Sequence, residues 1–264
     1  MLAGAPAPVL ADDGTLHASY DPSWNQGPGT FGGLLAAALG SAASQRFPDM
    51  PVRALSMHLC AATPPGPITI ELEQQREGSR TRFLSGRILA DGQPTVLATL
   101  TLGRPRAEDV VLESPAPPVL PEPTSIGDIF ELLGGAMPGV PVFTKHFDFR
   151  FAEGMPFTGQ RQAVSRGWIR PRTPTPRSPE LILALLDTWP LAILSTFPRP
   201  RPASSVVIHM QLFPPWPAGP PDAFYAVDMV SDTGRDGYAD QRTSLYDAQG
   251  CLLGRATQLV AVIR

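Results

Sequence analysis

Apolar positions follow two patterns along this chain, a continuous run and strict alternation, and the pair occurs twice in the same order. Residues 31–43 are almost free of charge, and a helix apolar on every side belongs inside a core. The turn-rich run Trp24-Asn25-Gln26-Gly27-Pro28-Gly29-Thr30 precedes it, with Thr30 as the predicted cap. Residues 1–20 read as a strand or a loose arm. After the helix, the pattern predicts a strand at 52–63 and a turn at Pro64-Pro65-Gly66. Alternating strands follow at 67–76, 80–89 and 95–102, the last two separated by Asp91-Gly92. A buried helix followed by an antiparallel meander is a helix-plus-sheet module of about 100 residues.

The second half repeats the plan. Strands at 142–151 and 160–170 lead to an apolar helix at 178–197, and a strand at 204–213 follows. Further strands fall near 222–232, 235–247 and 251–263, the last two joined by a hairpin turn at Asp247–Gly250. Between the halves, residues 103–126 form a Pro-rich, acidic connector, part of it expected to be mobile, with a short helical piece at 125–134. The predicted organisation is α+β, with an N-terminal module at 1–105, a connector at 106–140 and a C-terminal module at 141–264.

Laid over each other, the halves differ where it matters. Ser56–Cys60 matches Val207–Gln211, with His209 on His58, an offset of 151; the same offset sets Leu34–Ala36 on Leu185–Asp187. On the last strand an offset of 158 sets Ala98–Leu100 on Ala256–Gln258. Asp187 thus falls on Ala36, Ser205 on Ala54 and Gln258 on Leu100. Three polar positions of the second half are apolar in the first, as expected if one copy keeps a chemical site and the other has become core. An acid in an apolar helix is costly unless it has partners or a task.

Composition adds mainly exclusions. With 264 residues, 43% hydrophobic and 17% charged, the chain has material for a sizeable core. A net charge of -3 offers no general attraction to nucleic acid or anionic membrane. The 32 prolines cluster at 115–123, 171–179, 198–202 and 214–221, which marks loops. Cys60 and Cys251 make no disulfide framework, and His58 with Cys60 supplies only two ligands, too few for a metal site. The N-terminal segment lacks a basic stretch ahead of a sustained apolar core, so no signal peptide is expected. The longest apolar run, 181–197, is interrupted by Asp187 and Pro190 and is too short to span a bilayer. A soluble cytoplasmic protein is expected, with no stable membrane anchor.

Seven segments in order resemble the TesB-like acyl-CoA thioesterase family: WNQGPGTFGGLLAAA (24–38), VRALSMHL (52–59), REGSRTR (76–82), LLDTWP (185–190), SSVVIHMQLF (204–213), DGYADQ (236–241) and GCLLGRATQL (250–259). The resemblance covers nearly all of the chain except the 103–140 connector. It implies two fused hot-dog modules, each a long antiparallel sheet wrapped around a central apolar helix. It also implies an acyl-CoA substrate, no cofactor and a homo-oligomer. The family's Asp on the second helix, its Thr or Ser opening the next strand and its Gln on the last strand map onto Asp187, Ser205 and Gln258. Two departures stand out: the hydroxyl is Ser, with Ser204 beside it, and the strand that follows lacks the family's acidic residue.

Thioester hydrolysis needs a placed water, a group to take its proton and donors for the developing oxyanion. Asp187, near the end of an apolar helix, would be made more basic by desolvation and by the negative helix terminus. Ser205 and Gln258 would hold the water. Backbone N–H groups of Gly32 or Gly33 could polarise the thioester carbonyl, although close helix–sheet packing explains those glycines better. Candidate substrate contacts are His58, Trp189 and Arg80, with Arg82 and Arg235 as further arginines for the CoA phosphates. His58 recurs as His209, which favours a structural role for both. Phe31, Leu35 and Phe197 could line an acyl tunnel or serve as ordinary core. No Gly-x-Ser-x-Gly elbow is present, so an acyl-enzyme route is not expected. Two alternatives use the same scaffold: a non-catalytic acyl-CoA or lipid binder, and an enoyl-CoA hydratase or dehydratase in which His209 approaches Asp187.

Overall fold

The computed structural model describes the chain except residues 3, 107–111, 133–139 and 264. The first half runs β1 (Leu16–Tyr20), α1 (Gly32–Arg46), β2 (Val52–Leu59), β3 (Gly66–Glu77), β4 (Thr81–Ala90) and β5 (Gln93–Gly103). The second runs β6 (Phe147–Glu153), β7 (Ala163–Pro171), α2 (Pro179–Thr188), β8 (Ala203–Leu212), β9 (Tyr225–Ser231), β10 (Tyr238–Asp247) and β11 (Leu252–Val262). All of these strands join one antiparallel sheet in the order β1-β3-β4-β5-β2-β8-β11-β10-β9-β7-β6. The expected α+β architecture holds: two hot-dog modules share a continuous sheet that curls around two helices.

The joint between the halves is the β2–β8 pair, in register Met57 opposite Ile208 and His58 opposite Val207. Met57 and Ile208 are 151 residues apart, the offset read from the sequence, so they lie on the pseudo-two-fold axis relating the modules. The offset of 158 on the last strand needs correction. Met57 pairs with Ala98 and Ile208 with Gln258, so Gln258 corresponds to Ala98, and the offset there is 160. Ala98 is apolar like Leu100, so the contrast between the halves survives the change of partner.

α1 is buried without interruption from Gly32 to Ala43. Its glycines serve a helix–helix crossing rather than the expected helix–sheet packing. A methyl on Gly33 would lie 2.6 Å from the Ala184 carbonyl oxygen, and one on Gly40 would lie 2.5 Å from Leu183 Cδ1. Gly33 and Ala184 are again 151 apart, so the helices cross on the same axis.

Three further expectations change. The helix expected at 178–197 starts as a capped helix, with Leu181 N–H donating to Ser178 Oγ at 3.2 Å and Pro179 in its first turn. It stops at Thr188 because Pro190 lacks an N–H and pushes Trp189 into extended backbone. A 3-10 turn, Ala192–Thr196, follows. The strand expected at 142–151 opens instead as a 3-10 turn, Val142–His146. Thr30 does not cap α1: the N-cap is Phe31, without a side-chain bond.

The connector is anchored where it is described. Trp168 Nε1 donates to the Pro121 carbonyl at 2.8 Å and Arg150 Nη1 to that of Ile126 at 2.6 Å. Leu120 packs against Ala226, Tyr246, Leu252 and Trp168 on the outer face of the second module. Ile129–Leu132 forms the short helical piece. The parts of the connector at 107–111 and 133–139 lie outside the described residues.

Candidate active site

Three elements of the second half and one of the first converge on Asp187. Pro190 ends α2 just beyond it, so Asp187 occupies the last turn of that helix. Gln258 lies near the middle of β11 on the buried side. Ser205 opens β8, where the register slips between Ser205 and Val207. Such a bulge inserts an extra residue and re-aims its neighbours, and here it turns Ser205 onto the helix-facing side.

The three side chains form one directed chain. Ser205 Oγ donates to Gln258 Oε1 at 2.6 Å, and Gln258 Nε2 donates to Asp187 Oδ1 at 3.2 Å. The first bond identifies the Gln258 oxygen, so the amide must turn its N–H toward the carboxylate. Ser204 is exposed and bonds only to the neighbouring Ser205 carbonyl, so Ser205 is the hydroxyl that joins this chain. From the first half, the backbone N–H of Gly33 at the start of α1 lies near Asp187 and pulls its carboxyl down. Gly32 presses so close that a methyl on it would sit 2.7 Å from Asp187 Oδ2.

Asp187 is surrounded by protein atoms yet keeps partial solvent contact. Burial pushes its carboxyl up to about 7, against the N–H groups of Gln258 and Gly33, which pull it down. A carboxylate with that affinity for protons is a competent base near neutral pH.

The other candidates lie elsewhere. Gly33 N–H acts on the Asp187 carboxyl, and Gly32 belongs to the wall of the carboxylate. His58 is exposed, and its neighbours Met57 and Leu59 face the helices: Leu59 Cδ1 lies 3.7 Å from a methyl placed on Gly32. His58 therefore leaves from the outer face of the sheet. His209 does the same, between buried Ile208 and Met210, and its Nδ1 is 2.6 Å from Ser56 Oγ. Trp189 is a core residue, with Nε1 donating to Ser165 Oγ at 2.8 Å and its ring against Phe151. Phe31 and Leu35 are also fully buried core.

Arg80 is at the wrong end of the sheet. It adjoins the end of β4 whose residues pair with Gly103 and Leu102, and Leu102 pairs with Val52 at the start of β2. Ser205 lies past the other end of β2, about 23 Å away at ~3.3 Å per residue. Arg80 Nη1 donates to the Pro105 carbonyl at 3.2 Å, a structural contact. Arg82 stacks on Phe47 and pairs with Glu77 at that same end.

Gln241 was missed by sequence reading. It faces the helices from β10, directly opposite Gln258. The motif DGYADQ contains it, but only the strand register shows what it stands beside.

Sheet and helices together define a double hot-dog protein, with a buried carboxylate where its two helices cross. Comparison with known proteins gives the family. The acyl-CoA thioesterase C-terminal domain matches residues 114–262 and the N-terminal domain residues 20–103. The chain belongs to the TesB-like acyl-CoA thioesterase family and is a thioester hydrolase. Among solved structures it is similar to a hot-dog protein of unknown function from Alicyclobacillus acidocaldarius (23% identity, TM-score 0.83, covering 97% of this chain and 96% of that one). It is also similar to a TesB protein from Mycobacterium avium subspecies paratuberculosis (14%, TM-score 0.76, 95% and 93% covered) and to an acyl-CoA thioesterase II from Mycobacterium marinum (15%, TM-score 0.74, 97% and 95% covered). No curated protein matches the sequence.

Proposed function

We propose that this protein hydrolyses fatty acyl-CoA thioesters by direct attack of a water held by Asp187, Ser205 and Gln258. The observation that carries this is the directed chain from Ser205 Oγ through Gln258 to a buried, strongly basic Asp187. Because Ser205 and Gln258 both use a hydrogen within the chain, lone pairs on Ser205 Oγ and on the carboxylate remain to accept the protons of a water. Asp187 takes one proton as the water oxygen bonds to the thioester carbon. The C–S bond then breaks, the proton passes from Asp187 to the leaving thiolate, and a carboxylic acid and free CoA result.

The hydratase or dehydratase alternative needs a His beside the acid. His58 and His209, the histidines on the two central strands, face away from Asp187, which favours hydrolysis. An acyl-CoA panel from short to long chains, read by release of free thiol, tests the proposal. Thiol release that disappears in Asp187→Asn supports it. Binding without turnover of any chain length would leave the non-catalytic reading, and consumption of an enoyl-CoA without free thiol would establish the hydratase.

The same reading makes the protein a homo-oligomer. β6 ends the sheet with no strand beyond it among the described residues, and a free edge of seven residues is a ready site for pairing. Light scattering of the purified protein checks this.

A further inference from the structure

Gln241 and Gln258 are direct partners across β10 and β11, so their Cα atoms are about 4.5–5.5 Å apart. Both side chains are buried under α2. Gln241 Oε1 accepts the N–H of Ala192 at 2.8 Å, at the head of the 3-10 turn that follows the break in α2. Only the amide oxygen can accept that hydrogen, so the bond fixes the orientation of the side chain. Nε2 is therefore turned away from Ala192, buried and without a partner among the described residues. Thr243 Oγ1, on the same face of the same strand, is also buried and unpartnered. Buried polar groups left open in this way commonly meet an ordered water.

The first half shows that these polar groups are not a requirement of the fold. Ala98, the counterpart of Gln258, pairs with Gly86, so Gly86 is the counterpart of Gln241. Around Gly86 the space is filled by Leu39, Leu72 and Leu100, each 3.1–3.4 Å from a methyl placed there. Where the silent copy packs leucine, the copy carrying Asp187 places a second amide beside the first. Gln258 Oε1 receives one hydrogen from Ser205 and keeps a lone pair for another.

We propose that Gln241 is a positioning residue of the hydrolytic site. A buried water accepts from its Nε2 and donates to Gln258 Oε1, which ties the Ala192 turn behind α2 to the amide that holds Asp187. With its oxygen saturated, Gln258 cannot rotate its N–H away from Asp187 as that group gains and loses a proton. This inference rests on the water-attack reading above.

Gln241→Glu separates the two bonds. Glutamate keeps an oxygen for the Ala192 N–H in nearly the same shape but has no N–H to give. The expected result is a fall of about tenfold or more in the plateau kcat reached at high pH, with KM within about twofold. A residue that only clamped the Ala192 turn would keep the wild-type plateau of kcat at high pH, the new carboxylate moving only the acid limb upward, and that result overturns the inference. Should the variant not fold, a high-resolution crystal structure of the wild type decides. A water bonded to both Gln241 Nε2 and Gln258 Oε1 supports the proposal, and amides with no water between them overturn it. The two readings fail differently: full activity in Asp187→Asn would sink water attack itself. Loss of activity there, with a wild-type plateau of kcat in Gln241→Glu, would sink only the role of Gln241.

Discussion

Replacing Asp187 by Asn should make the protein more stable and nearly inactive at once. Burial moves the carboxyl from 3.8 to about 7, roughly three units at ~1.4 kcal/mol each. The folded state holds this proton more tightly than the unfolded chain does, so ionising Asp187 works against folding. Below about pH 4 both states keep the proton and there is no penalty. From about pH 4 to 7 the unfolded chain has lost it and the folded one has not, so stability declines as pH rises, levelling at a total loss of ~4 kcal/mol. Asparagine is neutral throughout and close in shape, and its oxygen can face the N–H groups of Gln258 and Gly33.

Urea midpoints of the two proteins should therefore coincide near pH 4 and separate above it, with Asp187→Asn the more stable by up to about 4 kcal/mol at pH 8. The figure is an upper bound, since the partial solvent contact of Asp187 lowers the cost of its charge. Thiol release should fall by about 10²–10⁴ in kcat, the usual worth of a positioned base. Wild-type kcat should climb with pH through about 7 as the carboxylate forms. Equal urea midpoints at pH 8 would refute the burial argument, and undiminished kcat would refute the role. Stability held below its maximum by a reactive group is a recognised form of the exchange between stability and activity.

Other substitutions test separate parts of the site. Ser205→Ala removes the 2.6 Å bond to Gln258 and should lower kcat about tenfold or more, while Ser204→Ala, on an exposed hydroxyl, should leave it unchanged. Gln258→Leu removes an N–H that pulls the Asp187 carboxyl down, so the acid limb of kcat should move to higher pH; an unmoved limb contradicts the bond. Gly33→Ala pushes a methyl against the Ala184 carbonyl at 2.6 Å and should cost about 1–3 kcal/mol in urea unfolding. Arg80→Ala, at the far end of the sheet, and His58→Ala, on its outer face, should leave KM for acyl-CoA unchanged, and a large rise in either would relocate the CoA site.

Element order and the central offset were legible because they depend on patterns that local sequence carries. Alternation over 67–76 becomes β3, and an uncharged stretch becomes α1. The offset of 151 reappears as the Met57–Ile208 register because β2 and β8 pair across the axis itself. What the sequence hid was set by register and chain direction at a distance. The true counterpart of Gln258 is Ala98 because the β8–β11 and β2–β5 ladders fix it, whereas the matching AlaThr dipeptides place it two residues off. Arg80 is a candidate as an arginine for the CoA phosphates, but only strand direction shows that it lies at the far end of the sheet from Ser205. The glycines were assigned to the sheet because no local pattern tells which neighbour a small residue admits; the neighbour is α2.

The geometry also explains why the two modules were not free to keep equal sites. Gly33, at the start of α1, can give its N–H to Asp187 because the first N–H groups of a helix have no partner inside it. Its counterpart is Ala184, which lies well inside α2, since that helix begins at Pro179. There the N–H is taken by the preceding turn of its own helix. Ala36 likewise sits in mid-helix, while Pro190 ends α2 just past Asp187 and leaves the acid at a boundary. A carboxylate at 36 would thus meet neither an open N–H nor a hydroxyl–amide pair: the ladders set Leu55 rather than Ala54 in the place of Ser205, because the bulges of β2 and β8 differ in position, with Ala98 and Gly86 where the second half has Gln258 and Gln241. Desolvation without those partners has no compensation. The first module contributes instead the end of α1, so the single site is built from both halves, and the apolar copy is part of its structure rather than a remnant.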